Sequence, residues 1–390
     1  MENENDIREQ IAKSLSHTPF ECSSLTALSG GVSNFVYRGA LSSATASTVV
    51  VKHTKDYLAS NVNFRLDAAR CEFEAATLQA LEGLSPYSED KLTVKPPLLL
   101  HFDRKTNTQV LEDLPDSIDL KHYLLSETSN DVSESTAKSL GRTLGGWLRS
   151  FHSWADKAEQ AELKSVLGKH QVMKDLKFYI NYTMLMDTVE NFPGLLEESR
   201  GVFEEVGDSA AAELTREDHD DGYGIIHGDF WTGKYVWTGG VDPVLLYLME
   251  ETNVIYSVLI PNVHLTGKSE TTLFVVDWEM SHIGSRALDL GQMIAELYET
   301  KLFRNVDAGV WVIKGLLEGY GSLSDEIGFR TAIHVGAHLV CWGSRVPGWG
   351  SPQQVEDVVK VGRDLIVHGW RKDRTWFEGD TLSCLFTRWG

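Results

Sequence analysis

The chain places an acid at the end of each of two apolar runs. Ile225 and Ile226 lead into His227-Gly228-Asp229, so a strand-like segment meets an acid across a tight glycine turn. Forty-eight residues on (277 − 229), Leu273 to Val276 leads into Asp277-Trp278-Glu279. Two strands ending in acids at one cleft edge could hold a divalent cation, or divide base and metal-binding roles. Taken singly, each Asp is explained by the commoner job of capping a turn or helix. Three further features shift that balance. Gly30-Gly31 joins two strand-like segments and permits close backbone approach, so amide groups could face a phosphate, although a plain hairpin turn explains it as well. Lys52 ends the β-branched run Val49 to Val51 and could point into a cleft. Glu74, about twenty residues later on a helical pattern, could pair with Lys52; Glu72, two positions away on another face, is the competing choice.

The elements that must position these groups change character along the chain. The first hundred residues read as strands with one helix: Leu25 to Leu28, Phe35 to Arg38, Thr48 to His53, a helix over 65–82, then Leu98 to Phe102 and Thr108 to Leu111. Leu140, Leu144, Trp147, Leu148 and Phe151 then mark one face of an amphipathic helix. Further helices are expected over 171–189, 195–206, 286–299, 306–319, 325–343 and 353–371, with short strands at Gly224 to Ile226 and Thr272 to Val276. The pattern predicts an α+β protein of two unequal lobes, a β-rich one over 1–112 and a helical one over 113–390.

Composition narrows the function classes. Thirty-six basic against fifty-six acidic residues give 36 − 56 = −20, which disfavours nucleic-acid binding and a polybasic membrane anchor. The apolar stretch near 244–263 is interrupted by Glu250 and Glu251, too soon to span a bilayer. Cys22, Cys71, Cys341 and Cys384 form no CxxC pair, so neither a zinc site nor a disulfide framework is expected. With the polar, acidic start MENENDIREQ, these features predict a cytosolic protein without a secretory leader.

In order, GGVSN, VVVK, FEAATL, LEDL, LGRTLGGWLRSFH, HGDFWTG, VVDWE and RALDLG resemble the motifs of the aminoglycoside phosphotransferase / choline kinase superfamily, most of all its fungal branch. The resemblance runs from about residue 25 to the C-terminus and includes CWGSRVPGWG at 341–350. It implies a bilobal protein-kinase-like fold and ATP-dependent phosphorylation of a small-molecule hydroxyl. By the same resemblance Gly30, Gly31, Ser33 and Asn34 belong to a phosphate-covering loop, Lys52 meets the α/β-phosphates and Glu74 holds Lys52. Leu111-Glu112-Asp113-Leu114 becomes the hinge, with Glu112 and Leu114 beside the adenine. Asp229 becomes the base or orienting group, Asp277 the magnesium ligand, and His227 and Asp289 supports of the catalytic loop.

The chain departs from the family in two places, at Lys234 and in the long interval 238–271. The family places Asn, a ligand of a second magnesium ion, where this sequence has Lys234. An ammonium has no acceptor and cannot ligate a metal. Two unit charges 4 Å apart cost about 4 kcal/mol at an effective dielectric near 20, and a doubly charged ion would feel roughly twice that. Lys234 could replace the second ion and leave one magnesium on Asp277. It could instead mark a pocket that binds without transferring phosphate, or one that runs a different reaction with Asp229. The first reading is preferred. The long interval 238–271 could form a lid, a substrate wall or a packed helix. Eleven tryptophans, among them Trp231 and Trp342, together with Glu279, Glu250 and Glu251, suggest a substrate bearing an amine.

Overall fold

The computed structural model describes residues 4–28, 33–43, 47–126, 132–215, 222–233, 258–261, 270–346 and 349–389. Lys234, Gly30, Gly31, Glu250 and Glu251 lie outside them, as does the apolar run 244–263 apart from the strand Val258–Pro261.

The first sheet has five antiparallel strands in the order Cys22–Ala27, Phe35–Leu41, Thr48–His53, Thr108–Glu112, Leu99–Asp103. Strand periodicity sorts its two faces. Tyr37, Val49, Val51 and Val110 are buried beneath the helix Glu4–Leu15, which offers Ile7, Ile11 and Leu15 at four-residue intervals. Val36, Val50 and Lys52 face the other way, into a cleft. The N-terminal helix was not expected. Its apolar stripe is three residues wide within a polar, acidic stretch, and burial against the sheet supplies what the stripe alone does not.

The second sheet joins distant parts of the chain, in the order Ser117–Asp119, Val258–Pro261, Thr271–Val275, Leu92–Lys95, Tyr87–Glu89. Leu92–Lys95 runs parallel to Thr271–Val275, pairing Leu92 with Thr271 and Lys95 with Phe274. Residues 87–95 therefore belong to the sheet that carries Asp277, although the strands that follow them return to the first sheet.

Apart from two small two-stranded sheets, the rest is helical, as the sequence predicts. Glu134–Ala155 lies against Ala308–Tyr320 so closely that a Cβ on Gly145 would sit 1.9 Å from the Leu316 carbonyl oxygen. Only glycine fits there. Leu140, Leu144, Trp147, Leu148 and Phe151 are all fully buried in the main core. Arg286–Arg304, Asp325–Cys341 and Pro352–Trp370 complete the helical layer, each opened by a serine whose hydroxyl accepts a backbone N–H of the first turn. Two expectations need correction. The helix expected over 171–189 is interrupted by a π-helical turn at Tyr179–Thr183, between Gln171–Phe178 and Met184–Asn191. The helix expected over 195–206 is a short Pro193–Leu196 turn followed by Arg200–Leu214. The four cysteines are free, and no helix among the described residues is long and apolar enough to cross a membrane.

Candidate active site

The buried strand Tyr223–Ile226 pairs with His282–Ser285 and delivers His227, Gly228 and Asp229 to its end. Gly228 adopts φ 82°, and a Cβ there would lie 2.3 Å from the Met280 carbonyl oxygen, so the turn requires glycine. Asp289, in the first turn of Arg286–Arg304, holds this turn from below. Its carboxylate accepts the backbone N–H of His227 and of Gly228, both at 2.9 Å, and the His152 Nε2–H at 3.2 Å. Burial alone would raise the Asp289 carboxyl; the donors from His152 and the His227 backbone hold it below its ordinary value.

His227 links the two acidic motifs. Its Nε2 meets the Val276 carbonyl oxygen at 3.0 Å, which only a protonated nitrogen can do, and its Nδ1 accepts the Asp229 N–H at 3.2 Å. Burial lowers its pKa, in keeping with a neutral ring. A single imidazole thus ties the loop carrying Asp229 to the residue before Asp277.

Asp277 adopts φ 68°, ψ 66°, a left-handed conformation uncommon for a residue other than glycine. Lys52 donates to its Oδ1 at 2.6 Å and to Glu74 at 2.9 Å. Glu74, and not Glu72, faces the lysine, and it also accepts the Trp278 N–H at 3.2 Å. Glu279 lies 3.9 Å from the same ammonium, accepts from Asn34 Nδ2 at 2.6 Å and stands 3.4 Å from Arg70 Nε. Carboxylate oxygens of Glu74, Asp277 and Glu279 fall within 4.8 Å of one another, a hard-oxygen donor set that suits magnesium. Burial raises Asp277 well above the usual carboxylate range against the pull of Lys52. Lys52 itself is raised: burial would lower it, and Asp277, Glu74 and Glu279 outweigh that. This charged cluster closes one end of a cleft of about 270 Å³, walled by Val36, Val50, Leu78, Ile118, Phe274 and Val276. Leu111 to Leu114 border it.

The Glu112 carboxylate is engaged by Lys95 at 2.8 and 3.0 Å and by the Leu98 N–H, while Asp113 takes Arg38 and Thr48; their side chains brace the LEDL segment. Leu114 lines the cleft. Ser33 also lines it, and its carbonyl accepts from Arg70 at 2.7 Å. Asn34 is 3% exposed; its Oδ1 accepts from Thr54 and Arg70 while its amide holds Glu279. Glu279 is therefore a tie between the first hairpin and the DWE segment. Trp231 is buried, and Trp342 is half-buried with its ring near-parallel to His338.

The sequence reading missed Arg70, Lys177, Gln292 and a second buried cluster. In that cluster Lys121 bonds Glu296 at 2.6 Å and Glu299 at 3.2 Å, His338 bonds Glu296 at 2.8 Å, and the Trp349 ring lies 4.1 Å from the Lys121 ammonium. Glu296 and Glu299 follow RALDLG on the same helix, the one signal that could have drawn attention to them.

The chain is 32% identical to the phosphotransferase FrzJ of Cladobotryum sp. over 401 residues, covering 99% of this chain and 98% of that one. It is 22% identical to the 4-hydroxytryptamine kinase of Psilocybe cyanescens, over 86% of this chain and 84% of that protein. Among solved structures, a choline/ethanolamine kinase family protein from Mesorhizobium loti aligns with TM-score 0.46 and 14% identity, over 97% of this chain and 99% of that one. No family model matches the chain. Fold, motif order and full-length similarity define a phosphotransferase of small molecules. The chain belongs to the aminoglycoside phosphotransferase / choline kinase superfamily.

Proposed function

We propose that the protein transfers the γ-phosphoryl group of ATP to a hydroxyl on a small molecule that also carries an amine. The observation that carries this reading is Lys52, held by Glu74 and bonded to Asp277 at the charged end of an apolar slot. The slot suits a flat base between Val36 and Val50 on one side and Ile118, Phe274 and Val276 on the other, with Leu111 to Leu114 at its edge.

Lys52 turns its ammonium to the α/β-phosphates as they enter. Asp277, with Glu74 and Glu279 behind it, would hold a magnesium ion, which when bound neutralises phosphate charge. Asp229 accepts the proton of the acceptor hydroxyl as its oxygen bonds to the γ-phosphorus, and the bond from that phosphorus to the ADP oxygen breaks. Asp289 and His227 fix the loop that aims Asp229. Lys234, in place of the family's Asn, favours one ion over two. The amine rests on the net charge of −20 and on a relative named for a hydroxylated tryptamine.

Calorimetric titration with a non-hydrolysable ATP analogue, with magnesium and then with EDTA, tests the first half. Magnesium-dependent binding is expected; no binding in either condition overturns the reading. A screen of hydroxylated amines with γ-labelled ATP then tests the acceptor class, and labelled product from amine-free alcohols alone would exclude the amine.

A further inference from the structure

Lys177 is buried at 3% exposure, on the last turn before the π-helical segment at Tyr179–Thr183. The side-chain partner of its ammonium is an amide, the Oε1 of Gln292, which lies three residues after Asp289 on the bracing helix. Gln292 in turn donates from Nε2 to Asp229 Oδ1 at 2.7 Å. Donor and acceptor chemistry permits only this orientation. An ammonium cannot accept, so the amide must give it oxygen, and its nitrogen then faces the carboxylate. A charged lysine thus fixes which way a glutamine points, and the glutamine fixes one oxygen of Asp229.

Burying an ammonium against an amide is expensive, and desolvation lowers the Lys177 pKa while the fields of Asp229, Asp289 and Glu296 oppose it. The other titratable groups that feel Lys177 are His227, His282 and His334, all held toward their neutral forms by burial. The helix is also pinned beyond Lys177, where Asn181 Nδ2 donates to the Lys177 carbonyl at 2.8 Å inside the π-helical turn. Such turns recur at functional sites because they re-aim side chains within a helix.

We infer that Lys177 is a positioning residue for phosphoryl transfer, acting through Gln292 to lock the Asp229 carboxylate against the bracing helix. The inference rests on the reading of Asp229 as the group that orients the acceptor hydroxyl. A displacement of the order of 1 Å at such a group costs about 10²-fold in rate.

The test compares the full-length wild type with Asp229→Asn, Lys177→Met and Gln292→Leu, using magnesium-ATP as the probe and release of ADP as the readout. Binding of the ATP analogue and the melting temperature are measured alongside. Lys177→Met and Gln292→Leu are each expected to lower kcat about 10²-fold with analogue affinity within about twofold of wild type. The double variant should be no slower than either single one, because both break one chain of contacts. Should Lys177→Met not fold, Gln292→Leu carries the same rate test alone. Wild-type kcat in a folded Lys177→Met or in Gln292→Leu, with Asp229→Asn inactive, overturns the relay and leaves the reading of Asp229 standing. Full turnover in Asp229→Asn overturns that reading, and the relay with it.

Discussion

Lys52 and Asp277 lie in direct contact at 2.6 Å, although they stand 225 positions apart in sequence. Neither partner is more than about a tenth exposed, so their attraction is weakly screened and each depends on the other. Under the proposed function this contact is the one that nucleotide and metal replace together, phosphate taking the ammonium and the metal taking the carboxylate.

Replacing Lys52 with Met should lower kcat/KM by about 10²–10³-fold, the scale seen when one preorganised charge donor is removed from a transition state. Steady-state kinetics with magnesium-ATP would check it. A loss confined to the KM for the acceptor would speak against a role on the phosphates.

Asp277→Asn should uncouple nucleotide binding from magnesium. Analogue affinity in this variant is expected to be the same with magnesium as with EDTA, whereas the wild type should bind tightly only with magnesium. Calorimetry reads both conditions directly.

Stability should fall as the pH drops below neutrality. Burial lowers His282 from 6.5 to about 4 in the folded protein, where its Nδ1–H donates to the Met280 carbonyl at 2.7 Å. The unfolded chain therefore takes up a proton first, so the contribution is complete above pH 6.5 and is lost between 6.5 and 4. Its size is about 3 kcal/mol at most. His152, His227 and His334 are lowered in the same direction. His282→Asn keeps a donor near the Nδ1 position without the titration, and should flatten the melting temperature against pH without making it level. An unchanged slope would contradict this assignment.

Gly145→Ala should destabilise by about 3 kcal/mol, the upper end of the usual cost of overpacking. The new methyl would meet the Leu316 carbonyl oxygen at 1.9 Å, and a backbone cannot rotate away as a side chain can. Urea denaturation would measure it. Gly207→Ala, on the helix Arg200–Leu214 where a Cβ would meet nothing within 4 Å, is the control and should stabilise slightly.

Much of this was legible in the amino-acid sequence where one segment decides its own fate. Thr48–His53 is a strand over the residues that its β-branched run marks, and its alternation puts Lys52 opposite Val49 and Val51. The helices after residue 134 follow their apolar stripes. What escaped depends on partners far along the chain. Nothing local marks Lys177, an ordinary lysine on an amphipathic helix, as the partner of Gln292 115 residues later. Arg70 opens its helix like any arginine, yet its guanidinium meets Ser33, Asn34, Lys55 and Glu279. Leu92–Lys95 was not among the expected strands, because a parallel pairing with Thr271–Val275 leaves no trace in either segment alone.

That pairing sets how the cleft can open. Residues 96–98 and 113–116 are the two short links between the sheets, a third and longer crossing running through the helix Arg70–Leu81, and the Lys95–Glu112 ion pair straps one short link to the other. A single link would act as a swivel and allow twist in every direction. Two links side by side act as a door hinge, leaving one axis of rotation, which runs along the edge of the slot. Opening would lift the face carrying Val36, Val50 and Lys52 away from Asp277 without sliding it sideways, so that each closure returns the ammonium to the same place.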